Sequence, residues 1–306
     1  MSSSQILFCG LGGGLDVLNA LPLYFGAKAQ GHGARLGSIR PAAALAWRPR
    51  DLFDESGAWV GEESVVREKG RYAEPMLAKR TGAPVAYFAR RYGGKTDVPR
   101  LVRALRTYLD GNGVNRAYFV DGGGDSLILH PSDACADSEH ADPFAGGDAE
   151  ALEALEQVPE ALLAVVAYGL DVRPEAFLAN VAALDARGGF YGRLHLPSGV
   201  WDNPTWASAH SFVGGRPTLD PYEDIASDLL VLEDAHVDQS GRWMSHTGTV
   251  TYHAMRGAFG PHRTFVPWEP TLPDGSKGVE VRPEHQFVYF FDPRAVQALK
   301  RERNGR

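Results

Sequence analysis

The run Asp121-Gly122-Gly123-Gly124-Asp125-Ser126 sets two carboxylates around three glycines, directly after the apolar stretch Ala117-Tyr118-Phe119-Val120. Glycine lets the backbone bend sharply and approach a ligand closely, so this loop can bring carboxylates and bare peptide groups to one point. Pure turn chemistry rarely needs so many special residues. Ligands of open α/β sheets sit outside the carboxyl ends of the strands, which is where the strand pattern delivers this loop. The chemistry to expect is acid/base or ion-holding by Asp125, oriented by Asp121. Glu139, in the acidic stretch Ser132 to Asp148, would act as a lid residue closing over the substrate. Carboxylates gathered at one site repel one another, so either a pKa rises or a cation is bound. Asp148, at the far end of the stretch, is read as a bystander.

A second glycine cluster, Gly10-Leu11-Gly12-Gly13-Gly14, precedes Leu15-Asp16-Val17-Leu18. The start of a helix presents free N–H groups to an anion, and the spacing matches a dinucleotide fingerprint only loosely. Asp16 favours the helix dipole but would repel a phosphate. Its carboxylate suits a hydroxyl, an amine or a metal better than a pyrophosphate, and a plain helix cap beside a tight turn is the structural alternative. Gly12, Gly13 and Gly14, together with Gly122, Gly123 and Gly124, are thus the candidate ligand-binding backbone, with Asp16 as a polar anchor. Asp171 and Glu175 join at the end of the next strand.

These residues carry a family resemblance. Asp121 to Leu127, then Glu139, Asp142-Pro143-Phe144 and Asp148, followed by Tyr168-Gly169-Leu170-Asp171 and Glu175, resemble the family catalogued as domain of unknown function 1152. The opening Gly12-Gly13-Gly14-Leu15-Asp16-Val17 is similar to that family's N-terminal segment as well. The resemblance covers roughly Gln5 to Gly199 and implies a fold and a site location, without a reaction.

A third signal points elsewhere. Leu229-Leu230-Val231-Leu232-Glu233 leads into Asp234-Ala235-His236-Val237-Asp238, which resembles the metal-binding strand end of the arginase and agmatinase (ureohydrolase) family. In an extended chain Asp234, His236 and Asp238 project to one side and converge on divalent ions. The competing reading is an exposed polar turn after a core strand. Elsewhere the ureohydrolase pattern thins: Ser126 stands where a metal histidine belongs, and a paired-aspartate motif is reduced to Phe291-Asp292-Pro293. Weaker still is Gly93-Gly94-Lys95-Thr96, like the end of a phosphate loop but with Ala89 where the leading glycine belongs. His210, His246, His253 and His262 are each more readily structural than catalytic. No Gly-x-Ser-x-Gly elbow follows a strand.

The elements that must position these groups alternate between strand and helix. Apolar runs predict strands at Ile6 to Cys9, Ala34 to Ile39, Pro84 to Ala89, Ala117 to Val120, Leu162 to Tyr168, Phe190 to Leu196 and Leu229 to Leu232. After Asp97 the positions Val98, Leu101, Val102, Leu105 and Leu109 form one helical face, with Arg100, Arg103 and Arg106 opposite. After Asp171 a helix opens at Pro174, with Phe177, Leu178, Val181 and Leu184 as its stripe. Such alternation implies an α/β fold: a Rossmann-like, doubly wound, mainly parallel sheet. From about Trp201 prolines, tryptophans and histidines replace helical periodicity. Residues 1–200 are therefore the ligand-binding core, and 201–306 an irregular C-terminal extension that completes the same domain and covers the site. Within it, short strands are expected at Thr249 to His253 and Phe287 to Phe291, and a solvated terminal helix carries Lys300-Arg301-Glu302-Arg303.

Composition bounds the function. The chain has 306 residues, is 44% hydrophobic and 23% charged, and carries a formal net charge of -7. That balance gives no electrostatic reason to expect nucleic acid or an anionic membrane as a partner. The N-terminus has no basic region and its apolar stretch is broken by glycines, which predicts a cytoplasmic protein with no signal peptide or spanning helix. Cys9 and Cys135 are read as two reduced thiols. Three functions follow as expectations: an enzyme acting on a small polar metabolite, a hydrolase or group transferase with metal assistance open; a ureohydrolase-like guanidine or amidine hydrolase; and a non-catalytic small-ligand binder. The first is preferred because carboxylates outnumber stacking groups near the crevice. A divalent metal as cofactor and a homo-oligomeric state stay open.

Overall fold

The computed structural model describes residues 5–12, 16–20, 23–24, 27–28, 32–40, 52–54, 57–61, 74–92, 95–122, 124–134, 142–166, 172–195, 236–237, 243–244 and 287–306. Strand β1 (Gln5–Gly10) is followed by the short helix α1 (Asp16–Asn19) and by β2 (Gly33–Arg40). Next come β3 (Leu52–Asp54), β4 (Gly57–Val60), α2 (Glu74–Thr81) and β5 (Val85–Ala89). The brief strands β6 (Arg91–Tyr92) and β7 (Lys95–Thr96) precede α3 (Val98–Gly111) and β8 (Val114–Gly122). Two 3₁₀ turns, Asp125–Leu127 and Pro131–Asp133, lead on to α4 (Gly147–Leu155) and β9 (Ala161–Val166). The chain continues through α5 (Pro174–Asp185), β10 (Phe190–His195), β11 (His236–Val237), β12 (Trp243–Met244), β13 (Phe287–Phe291) and α6 (Pro293–Arg303).

Nine strands form one mixed, mostly parallel sheet in the order β10-β13-β9-β8-β1-β2-β5-β4-β3. The strands β9, β8, β1, β2 and β5 run parallel. β13 enters antiparallel between β9 and β10, and β4 and β3 close the other side antiparallel. The chain walks from β1 outward to β2 and β5, then crosses back so that β8 pairs on the other flank of β1. Neighbouring parallel strands end at the same edge of a sheet. β1 and β8 therefore hold the glycine turn and the glycine-aspartate loop at one edge.

Local chemistry explains the framework. In α3 the buried residues Leu101, Val102, Leu105 and Leu109 match the expected stripe, with Ala104 and Tyr108 completing it, while Arg103 and Arg106 face solvent. Asp97 caps the helix by accepting the Arg100 N–H at 3.0 Å, a bond the free first turn otherwise lacks. In α5 Phe177 and Leu184 are buried and Val181 is partly so, but Leu178 is 46% exposed. That position lies one step off the seam, and Asn180 is buried instead. Asn180 donates to the Leu127 carbonyl at 2.9 Å and to Asp133 Oδ2 at 3.0 Å, which satisfies its burial.

The terminal helix departs from the expectation of a solvated element. α6 buries Pro293, Val296, Gln297, Leu299 and Lys300 and packs against α4, α5 and β9. Val296, Leu299 and Lys300 stand at i, i+3 and i+4 and so share one face, whereas Arg301, Glu302 and Arg303 turn outward to pairing positions. The edge strands β3 and β4 and helix α2 carry no expectation from the sequence. Phe53 and Trp59 meet Phe88 and Tyr108 in an aromatic cluster, so β3 and β4 are held by packing against α3 and β5. The runs Leu229 to Leu232 and Thr249 to His253 lie outside the described residues. Among the described residues no helix is long and apolar enough to cross a membrane.

Candidate functional site

Asp121 lies at the end of β8 and is 0% exposed. The loop that follows is wrapped around its carboxylate. Gly124 N–H donates to Oδ1 at 3.2 Å and Ser126 N–H to Oδ2 at 3.1 Å, and the Ser126 hydroxyl donates to Oδ2 as well. Gly124 has φ +94°, a left-handed conformation that glycine adopts without a side-chain clash. The run of glycines is therefore used to fold the loop back onto Asp121, and Asp125 and Ser126 start the 3₁₀ turn that results.

The third carboxylate comes from α4. Asp148 is half-buried as a residue while its carboxylate lies inside, and one oxygen each from Asp121, Asp125 and Asp148 fall within 4.8 Å of one another. Two glycines permit this convergence. A Cβ on Gly147 would stand 2.4 Å from the Gly12 carbonyl oxygen, and one on Gly12 would stand 1.6 Å from Asp148 Oδ1. The clearance at Gly12, expected to admit a ligand, is taken by this chain's own Asp148. The expectation that Asp148 is a bystander is likewise overturned: Gly147-Asp148 opens a helix, and that helix is pressed against the β1 turn.

Electrostatics follow from burial. The pKa of Asp121 is raised well above the ordinary carboxylate range by desolvation first and by the neighbouring Asp125 second, with the bonds from Ser126 and Gly124 opposing. That of Asp148 is raised by desolvation and then by Asp16 and Asp121, against a hydrogen bond with Asp125 and the Arg90 charge. Asp16 is buried and accepts the Gly12 N–H at a long 3.4 Å. Arg90, at the end of β5, is buried and pairs with Glu150 of α4. Behind it Arg40 stands 3.7 Å from Glu74. Cys9 is buried and free, its thiol pushed up by desolvation.

Besides Arg90, a buried lysine acts on these carboxylates. Lys300 of α6 is 1% exposed, and the charges it feels most are Asp125, Asp148, Asp121 and Asp142. Burial outweighs them and lowers its pKa from 10.5 to about 8. Sequence reading placed Lys300 in solvent with its charged neighbours. The signal for burial was present in its i, i+3, i+4 relation to Val296 and Leu299.

Of the expected site residues, Asp121, Asp125, Gly12, Asp16, Gly122 and Gly124 share this edge of the sheet. Gly13, Gly14, Gly123, Glu139, Asp171, Asp234 and Asp238 lie outside the described residues, as do Cys135, His210, His246, His253 and His262. His236 belongs to β11, which pairs antiparallel with β12. Glu175 is exposed in the first turn of α5. Asp142 is exposed and accepts the Phe144 N–H at 2.9 Å. Asp133, from the acidic stretch, is buried and accepts the backbone N–H groups of Leu129 and His130, so it shapes a turn. Lys95-Thr96 pairs with Arg91-Tyr92 in a hairpin, whereas a phosphate loop runs from a strand into a helix. Asp292 caps α6 by accepting the Arg294 N–H at 2.9 Å, which explains Phe291-Asp292-Pro293 as helix punctuation.

Neither a family model, a curated protein nor a solved structure matches the chain.

Proposed function

We propose that this protein is an enzyme acting on a small polar metabolite, a hydrolase or group transferase, with a metal-assisted carboxylate centre formed by Asp121, Asp125 and Asp148. The observation that carries this reading is their convergence: one oxygen from each falls within 4.8 Å of the others. Three oxygen donors with buried, mutually repelling charge suit a hard divalent cation such as magnesium or manganese. When bound, such an ion polarises a carbonyl or phosphoryl oxygen, or generates hydroxide from water. In this reading Asp125, the least buried of the three, faces the substrate as the ion-holding or acid/base group. Asp121 is locked by Ser126 and Gly124 and orients it. Asp148 closes the set.

The strand order supports a Rossmann-like version of the fold. Counted along the chain, the parallel strands β1, β2, β5, β8 and β9 are first to fifth, and the sheet reads fifth, fourth, first, second, third, the order of the doubly wound nucleotide folds. The resemblance to the domain of unknown function 1152 family supports the same location for the site.

Calorimetric titration of metal-free protein with magnesium or manganese chloride tests the reading. Wild type should take up the ion, and Asp125→Asn and Asp148→Asn should each weaken it by about 10-fold or more, the loss of one charged ligand. Wild type that binds neither ion, or variants that bind them unchanged, would refute the metal centre.

A further inference from the structure

Asp148 enters the centre on the first turn of a helix, and the start of that helix has to be held. Ionised carboxylates that converge repel one another, so Asp121 and Asp125 push Asp148, and α4 with it, outward whenever no cation lies between them. The local backbone offers little resistance. α4 opens at Gly146, with φ +92°, and Gly147, and Gly146 supplies no side-chain cap; glycine is the residue least confined in its backbone angles.

The resistance comes from the end of β5. The Arg90 backbone is fixed on both sides: its N–H donates to the Arg40 carbonyl at 2.9 Å, and its carbonyl accepts the Asp97 N–H at 3.2 Å. From there the buried guanidinium reaches α4 at two points. Nη1 pairs with Glu150, two residues beyond Asp148, and a Cβ on Gly147 would stand only 3.1 Å from Nη2. Arg90 thus meets the chain on either side of Asp148. The Glu150 side chain is 18% exposed and that of Arg90 9%, so the pair is unlike a surface bridge, whose two long side chains are free in water and hold little.

We infer that Arg90 and Glu150 are positioning residues of the metal centre: their ion pair fixes the first turn of α4, so that the Asp148 carboxylate is already beside Asp121 and Asp125 before an ion arrives. This inference rests on the carboxylate centre proposed above. Groups that orient a metal ligand commonly contribute about 10- to 100-fold to metal affinity. The Arg90 charge also acts on Asp148, so the test has to separate position from charge.

Manganese chloride is titrated into wild type, Glu150→Gln and Arg90→Lys, and into the same two variants combined with Asp148→Asn. Glu150→Gln keeps the shape and removes the charge, whereas Arg90→Lys keeps the charge and removes the fork. Each should weaken manganese binding about 10-fold in otherwise wild-type protein. In the Asp148→Asn background the same changes should cost no more than about 2-fold, because the ligand they position is gone. Glu153→Gln, which removes an exposed carboxylate from the same helix, should leave the affinity unchanged. Hydrogen exchange of the metal-free proteins is the second readout: amides at the start of α4, where residue 150 bonds the Gly146 carbonyl at 3.3 Å, should exchange faster in both variants while β8 keeps its protection. Should Arg90→Lys not fold, Glu150→Gln carries the comparison.

Unchanged manganese affinity in the single variants overturns the inference and leaves the metal centre standing. A loss as large in the Asp148→Asn background, or an equal loss in Glu153→Gln, shows that the pair acts through charge or through the whole fold, and overturns it too. Exchange at the start of α4 equal to that of wild type does the same. Wild type that binds no manganese refutes the metal centre, and the positioning inference with it.

Discussion

Replacing Lys300 by methionine removes the ammonium while keeping an unbranched side chain that fits a packed interior. In the folded chain the proton is held less tightly than in water, because burial outweighs the pull of Asp125, Asp148, Asp121 and Asp142. The displacement from 10.5 to about 8 is worth about 3 kcal/mol. Its sign follows from proton uptake. Between about pH 8 and pH 10.5 the unfolded chain carries more protons at this lysine than the folded one, so stability rises with pH across that window. Below pH 8 the folded state bears the whole cost. Lys300→Met should therefore make the metal-free protein more stable at pH 7, by up to about 3 kcal/mol, with the gain shrinking as pH approaches 10.5. Urea denaturation of both proteins at a series of pH values reads it directly. A variant less stable than wild type at pH 7, or a difference that does not change with pH, would show that the ammonium has a strong partner and that the reasoning about its burial is wrong. A group whose removal stabilises the fold is one retained for another purpose.

Two further outcomes follow from the same edge of the sheet. Gly12→Ala would place a Cβ 1.6 Å from Asp148 Oδ1 and 2.6 Å from its backbone nitrogen; the start of α4 must shift, at a cost of about 1–3 kcal/mol, read as a lower melting temperature, and an unchanged melt would mean that α4 does not press on the turn. Because folding raises the pKa of Asp121 and Asp148, the folded state keeps those protons to higher pH than the unfolded chain. Their stabilising contribution is full below about pH 4 and is lost as pH rises through the folded values. The stability of metal-free wild type relative to Asp148→Asn should accordingly fall as pH rises from about 4, and saturating magnesium should remove that trend; a relative stability independent of pH would contradict the burial of this pair.

Local pattern in the sequence determined the parts that depend on neighbours along the chain. Short apolar runs mark β1, β2, β5 and β8, strands largely buried along their inner length, and period-3.6 hydrophobicity marks α3, which buries one face. The glycine-aspartate run announces itself because a loop that folds back on Asp121 needs glycine's freedom at Gly124. Even there, Leu178 of α5, expected on the buried stripe, is exposed and Asn180 is buried, since tertiary partners decide which side of a short helix is covered. Only the tertiary structure decided the membership of the site. Asp148 looks like one more acid in a polar stretch until α4 is pressed against Gly12. Lys300 looks solvated until α6 docks between α4 and α5. Hydrophobic periodicity specifies that a face is buried, but the identity of the surface that buries it is a long-range fact set by sheet order. That order, with β8 returning to the free flank of β1 and β13 entering beside β9, brings together a strand end and two helices far apart in the chain.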